Sequence, residues 1–138
     1  MDDMRGLTGE AADPDAAAST LPHNIEAEQQ LLGALLTNDQ IYDRVSAIVK
    51  TEHFYDPLHQ RINEVAAGRI AKNALVTPVT LASFLEDDSG LKEVGGPAYL
   101  VRLAGAALSS HAARDDAKLI HDLAVRRERM ALGREITD

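Results

Sequence analysis

The stretch that decides the fold is L-K-E-V-G-G-P-A-Y-L at residues 91–100. Gly95 and Gly96 tolerate a positive φ, which favours a helix end or a sharp turn. Pro97 suits the first residue of the next helix, because the backbone N–H that proline lacks would be unpaired there anyway. The apolar pattern after Pro97 is helical almost to the last residue. We therefore interpret this stretch as the joint between a compact head, about residues 21–96, and an α-helical hairpin, about residues 97–138.

Three positions before the joint carry helix start signals. Asn24 is a favourable N-cap, and Asp56 and Thr77 are N-caps followed directly by proline. A further helix is predicted from about Asp39. Apolar residues recur at helical spacing after each start, and the predicted buried faces are Ile25, Leu32, Leu35 and Leu36, then Ile41, Val45, Ile48 and Val49, then Leu58, Ile62, Val65 and Ala66, then Leu81, Phe84 and Leu85. No alternating β-pattern occurs, so the sequence predicts an all-α fold.

The region after the joint predicts two more helices. The first runs from Pro97 to about Leu108, and the second from about His111 to Ile136, with a short break between them. The second helix carries a stripe of small residues, Ala113, Ala117, Ala124 and Ala131. Small side chains let another helix approach closely. We therefore expect the two helices to form an antiparallel pair that docks on its copy in another subunit.

Composition limits the class of protein further. The chain has 138 residues and a net charge of −8, and residues 1–20 contribute −4 because they hold five acids and Arg5. This acidic tail has almost no large apolar residues, so we expect it to be disordered and without a role. With no cysteine, no apolar run long enough for a membrane span and no signal peptide, a soluble cytoplasmic protein is expected. The helical pattern is still running at residue 138, which suggests a fragment of something longer.

The sequence shows no catalytic constellation. It lacks a G-x-x-x-x-G-K-[ST] phosphate loop, and none of its five histidines pair at the i, i+4 spacing of a helical metal site. We therefore expect no catalytic residue, cofactor or metal in this chain. His53 and His59 flank a turn, where capping or packing roles are favoured. Four arginines, Arg126, Arg127, Arg129 and Arg134, indicate either a partner or nucleic-acid contact or, as the favoured alternative, a solvated helix face.

Four segments in order resemble the N-terminal domain of bacterial replicative DNA helicases of the DnaB type. They are P-H-N-I-E-A-E-Q at residues 22–29, F-Y-D-P-L-H-Q-R-I at 54–62, V-T-L-A-S-F-L at 79–85 and the stretch at 91–100. Each segment alone is weak, but the four together at the family's spacing are specific. The resemblance departs from the family's pattern at Asn63, which stands where an aromatic residue is usual.

The resemblance implies a helical head and hairpin that form a collar by self-association, as a dimer or a hexameric ring, and dock a DnaG-type primase. A helicase loader is a possible further partner. In such helicases ATP and Mg²⁺ act in a separate motor domain, which also contacts DNA, so this chain would be non-catalytic. The candidate partner-binding residues are Glu26, Tyr99, Ala117, Ala124, Arg127 and Ala131.

Two alternatives stay open. The helicase-binding domain of a primase resembles this fold, but it should lack the ordered motifs at residues 22–29, 54–62 and 91–100. A small helix-turn-helix DNA-binding regulator using residues 77–108 is the second alternative. Residues 81–95 hold four acids against one base, so a recognition helix there would meet phosphates with the wrong sign.

Overall fold

A computed structural model describes residues 21–106 and 110–137 of the protein, with side chains for residues 21–106 and 112–133. The elements in chain order are α1 (Ile25–Thr37), α2 (Ile41–Val45), a 3₁₀ turn (Thr51–His53), α3 (Pro57–Ala71), α4 (Pro78–Phe84), α5 (Ser89–Glu93), α6 (Pro97–Gly105) and α7 (Ser110–Thr137). There is no strand among the residues that the structure describes. The predicted all-α fold is confirmed.

The helix starts follow the local sequence signals. Asn24 Oδ1 accepts a hydrogen bond from the Ala27 amide at 3.0 Å, and Asp56 Oδ1 accepts one from the Leu58 amide at 2.9 Å. Thr77 forms a reciprocal capping box with Thr80. Each cap pairs an amide that would otherwise lack a partner at the helix start, which is typically worth about 1 kcal/mol. The three predicted starts are confirmed.

The glycine joint has the predicted backbone. Gly95 and Gly96 adopt φ angles of 113° and 72°, and Pro97 is the first residue of α6. The Gly96 amide donates to the Leu91 carbonyl at 2.8 Å and so closes the short helix α5. Asp88 caps the start of α5 by accepting from the Leu91 amide, and Arg61 donates to the same carboxylate.

The core is organised around α1, whose buried residues lie on most of its circumference. Helices α6 and α7 both pack along α1, and each meets α1 far more extensively than the two meet one another in the described residues. Leu100 of α6 and Ile120 of α7 are fully buried in the same cluster as Leu31 of α1. Both helices after the joint thus share one core with α1, and the predicted boundary between head and hairpin at about residue 96 stays a prediction. Of the predicted break at residues 109 and 110, the first lies outside the described residues, as does the predicted acidic tail, and Ser110 is the first residue of α7.

One predicted core residue is on the surface. Phe84 is 60 % exposed, and the guanidinium of Arg69 lies 4.9 Å from the centre of its ring. Helix α4 has only two turns, and Leu81 and Leu85 already fill its inward face.

Among the described helices, none combines the length and the apolar character needed to cross a membrane.

Candidate interaction site

Three polar residues meet in the core, and the exposed fraction of each lies between 0 and 7 %. Glu28 of α1, His59 of α3 and Tyr99 of α6 form a continuous chain of hydrogen bonds. Glu28 Oε1 lies 2.8 Å from His59 Nδ1, and His59 Nε2 lies 2.7 Å from the Tyr99 hydroxyl. Glu28 Oε2 also accepts from the Tyr55 amide at 2.6 Å, so the carboxylate holds the start of α3 in place.

The partners determine the direction of these hydrogen bonds. A carboxylate oxygen accepts hydrogen bonds, so the arrangement that pairs every atom has the His59 ring hydrogen on Nδ1. Gln29 Nε2 donates to the Tyr99 hydroxyl at 3.2 Å, and the hydroxyl hydrogen is then free to be donated to His59 Nε2. Every polar atom of the network has a partner in this arrangement, which is what a buried polar cluster requires.

The network connects three of the sequence motifs. Residues 22–29 supply Glu28, residues 54–62 supply His59, and residues 91–100 supply Tyr99. The full burial of His59 and Glu28 leaves no path for a substrate to reach them. We interpret the network as a device that fixes the relative positions of α1, α3 and α6. Sequence reasoning missed it, although a charged residue on the apolar face of α1 was a signal.

Tyr99 is therefore not available as a partner contact. Its side chain is buried, its hydroxyl is used by His59 and Gln29, and Arg102 lies 5.4 Å from the ring centre. Burial raises the pKa of the Tyr99 hydroxyl above its ordinary value. Glu26, the other residue suggested for primase contact, is exposed in the first turn of α1 and stays a prediction.

The alanine stripe of α7 is divided between core and solvent. Ala113 and Ala117 are buried in the core with α1, so Ala117 contacts its own chain rather than a partner. The close approach predicted from small residues is thus used within the chain. Ala124 is partly buried in a groove with Glu52 and lies next to the 3₁₀ turn. Ala131 is exposed, because α7 has left the rest of the molecule by that point.

Arg127 ends the part of α7 that packs on the molecule. Its guanidinium donates to the Pro22 carbonyl at 2.7 Å and to the His53 carbonyl at 2.8 Å. It also lies 5.3 Å from the centre of the Tyr55 ring, on which His23 stacks at 4.0 Å. Arg127 was predicted as a partner contact, but these bonds hold its guanidinium within the chain.

A second histidine contact lies beside the contacts of Arg127. The rings of His53 and His121 meet edge to face at 5.0 Å, and burial followed by the neighbouring His121 lowers the pKa of His53 below its ordinary value. The described residues hold no group of three or more histidine or acidic side chains placed to bind a metal ion.

One carboxylate is poorly accommodated. The Oδ2 atom of Asp116 is buried without a hydrogen-bond partner in the described part of the chain. Burial, followed by the nearby charges of Asp115 and Glu26, raises the pKa of Asp116 to about 6. This site lies where α7 crosses the start of α1, so its charge bears on how tightly those helices pack.

Several apolar side chains are exposed to solvent. On α7, beyond Arg127, Met130 is 45 % exposed and Leu132 is 53 % exposed, on different sides of the helix. Between α4 and α6, a shallow apolar cleft is lined by Pro78, Val79, Ala82, Pro97 and Val101. A contiguous apolar cleft often marks an interaction site, whereas single exposed apolar residues are common on protein surfaces. The arrangement is that of a small helical domain with a polar network in its core.

Comparison with known proteins supplies the family. Residues 20–122 match the family model described as the DnaB-like helicase N-terminal domain, and the chain belongs to this family. The replicative DNA helicase DnaB of Rickettsia prowazekii is 39 % identical over 118 residues, and that of Treponema pallidum is 30 % identical over 116 residues. These matches cover 86 % and 84 % of the chain but only 24 % and 26 % of the relatives.

A solved structure supports the fold. The crystal structure of the N-terminal domain of DnaB helicase from Mycobacterium tuberculosis aligns with a TM-score of 0.78 and covers 86 % of both chains, at 24 % sequence identity. The chain spans about a quarter of the length of the curated relatives named above. The primase-domain and helix-turn-helix alternatives are not favoured by any of these matches.

Proposed function

We propose that this domain is a non-catalytic part of a replicative DNA helicase, where it associates with other subunits and docks a primase. The parent protein would unwind duplex DNA in the cytoplasm with ATP and Mg²⁺, both bound by a motor domain. The family membership and the relatives named replicative DNA helicase support this proposal. The observation that carries the association role is the exposure of two large apolar side chains, Met130 and Leu132, on the part of α7 beyond Arg127.

The distal part of α7 is suited to meet a second copy. Met130 and Leu132 are exposed there, while the first half of the same helix is held by α1. Placing a charge in an interface that forms around these residues would leave it buried and unpaired, which is costly. A substitution at Ala124 is less informative, because Ala124 lies in a groove that also contains Glu52 and Glu128 of its own chain.

Sedimentation of the full chain tests the association. We expect the wild-type chain to associate with rising concentration, and Leu132→Glu to weaken that association at least tenfold. Leu75→Glu is the matched control, because Leu75 is 63 % exposed on another part of the molecule. A wild-type chain that stays monomeric at high concentration would refute the role. An equal effect of Leu75→Glu would show that charge, and not this surface, is responsible.

Calorimetry tests the two remaining parts of the proposal. We expect the helicase-binding domain of a DnaG-type primase to bind the chain saturably, and Glu26→Lys to weaken that binding. We expect no binding of ATP, because the sequence has no phosphate loop. Saturable ATP binding would contradict the non-catalytic assignment, and absence of primase binding would contradict the docking role. A helicase loader is a further partner to be tested in the same way.

A further inference from the structure

The chain enters the fold directly beside helix α7. Arg127 Nη1 donates to the carbonyl of Pro22 at 2.7 Å, and His23 stacks on the Tyr55 ring that the same guanidinium faces. Residues 22 and 23 are therefore held against α7 at a defined point. Residues 1–20, which lie outside the described residues, connect to the molecule at this point.

The segment of α7 that begins at this point is basic. Residues 126–134 hold four arginines and only one acid, Glu128, which is a net charge of +3. We call these nine residues the distal segment. Arg126 and Arg129 are exposed, and neither forms a hydrogen bond or ion pair with another described side chain. Arg127 is occupied by its backbone contacts. The distal segment thus presents unneutralised positive charge in a chain whose net charge is −8.

The 20 residues that join here carry the opposite charge. Five acids and Arg5 make them −4, which is half of the net charge of the chain. Asp15 lies six residues before Leu21, a span of up to about 20 Å when extended at about 3.3–3.6 Å per residue. The ten residues of α7 that follow Arg127 cover about 15 Å at 1.5 Å each. The acids can therefore reach the distal segment without strain.

We propose that residues 1–20 fold back along the distal segment of α7 in the same chain. Acidic residues of the tail then lie beside Arg126 and Arg129 and shield them from other polyanions. The covalent connection beside Arg127 favours the tail over free competitors, because a short linker gives an effective concentration of about millimolar. The interaction is electrostatic and exposed, so it weakens as salt shortens the Debye length. The inference does not depend on the proposed helicase function.

A spin label in the tail tests where the tail lies. The chain has no cysteine, so Ala11→Cys provides a single labelling site on the full chain. In low salt, we expect a nitroxide at this position to broaden the amide NMR signals of residues 126–133 far more than those of the rest of the molecule. We expect the signals to recover in about 1 M salt, where the Debye length is about 3 Å.

Charge-neutralising variants test whether electrostatic attraction causes the broadening. Neutralising the five tail acids together (Asp2→Asn, Asp3→Asn, Glu10→Gln, Asp13→Asn and Asp15→Asn) should abolish the broadening, and so should Arg126→Gln with Arg129→Gln. The matched control is Arg44→Gln with Lys72→Gln, because these two bases are exposed elsewhere on the molecule. The control pair should leave the broadening unchanged.

Three outcomes would overturn the proposal. The first is broadening spread evenly over the surface, and the second is broadening that survives either set of charge variants. The third is broadening that appears only when labelled chains are mixed with isotope-enriched unlabelled chains, which would place the tail on a second copy. Shielding also predicts that the neutral-tail variant binds a fluorescent oligothymidine several-fold more tightly at low salt than the wild type. An unchanged affinity would contradict it.

Discussion

His59 and Tyr99 are 40 residues apart in the sequence, yet a 2.7 Å hydrogen bond joins Nε2 of His59 to the Tyr99 hydroxyl. The other ring nitrogen of His59 meets Glu28, so one imidazole ties α3 to both α1 and α6. The bond explains why three separated sequence motifs contain an acid, a histidine and a tyrosine. Residues of this network stabilise the fold, and their side chains are therefore not free to contact a partner.

Removing the tyrosine hydroxyl should lower stability without changing association. Tyr99→Phe leaves Nε2 of His59 buried without its partner, and we expect a loss of about 1–3 kcal/mol in the free energy of unfolding. Urea unfolding measures this loss. Tyr42→Phe is the control, because the Tyr42 hydroxyl makes no hydrogen bond to a described residue, and it should be near neutral. If Tyr99→Phe instead left stability unchanged and weakened association, Tyr99 would be a partner contact after all.

Replacing the buried carboxylate should also be destabilising. Glu28→Gln presents an amide N–H₂ group to a site that offers only donors, from the Tyr55 amide, the Asp56 amide and His59. Hydrogen bonds to a charged group contribute about 1.5–3 kcal/mol, and we expect a loss of that order in thermal or urea unfolding. Glu26→Gln, at an exposed position two residues earlier, should cost at most about 1 kcal/mol. Equal effects of the two substitutions would argue against the network.

Neutralising Asp116 should stabilise the domain at neutral pH. The pKa of Asp116 is raised to about 6 in the folded protein, from an ordinary value of 3.8, chiefly by burial. A raised pKa means that the ionised form destabilises the folded state, so its penalty is complete above pH 6 and absent below about pH 4. We expect Asp116→Asn to raise the melting temperature by a few degrees at pH 7.5, with the difference disappearing near pH 4.

The exposed neighbour provides the control for this titration. Asp115→Asn removes a charge one residue away, and we expect a smaller gain because Asp115 is solvated. A gain for Asp116→Asn that persists unchanged at pH 4 would show that the effect is not ionisation of this carboxylate.

Two glycine-to-alanine substitutions should distinguish a glycine that is needed for its backbone conformation from one that is not. A Cβ atom added at Gly96 would meet nothing within 4 Å, but the φ of 72° with ψ of −146° is a conformation that L residues rarely adopt. We expect Gly96→Ala to cost about 1–3 kcal/mol through backbone strain alone. Gly68→Ala, in the last turn of α3 and equally unobstructed, should stabilise by about 0.5–1 kcal/mol. Denaturation midpoints that move in the same direction for both variants would refute the distinction.

The structural features that the sequence predicted well depend on residues that are close together in the chain. The caps at Asn24, Asp56 and Thr77 and the joint at Gly95 and Gly96 depend on side chain and backbone groups that are neighbours in the chain. Local hydrogen bonding and φ preferences act at that range regardless of the rest of the fold. These signals placed most helix boundaries to within a few residues.

The candidate site depended on contacts that no local signal encodes. Glu28 and His59 are 31 residues apart, and the motifs did not show that they touch. Helical spacing also identified the alanine stripe of α7 but could not tell which helix it would approach. The structure places α1 of the same chain against Ala113 and Ala117. Periodicity identifies a face for packing, whereas the partner of that face is decided by the whole fold.

The convergence of α6 and α7 on α1 has a consequence for the smallest piece of chain that can fold. A protein ending at the glycine joint would lose Leu100, Leu103 and Ile120 from the core and would expose the apolar sides of α1 to water. The hydrogen-exchange protection of α1 should therefore vanish along with the C-terminal helices. We expect the cooperative folding unit to extend past the joint to about Arg127, where α7 is still bonded to the Pro22 and His53 carbonyls.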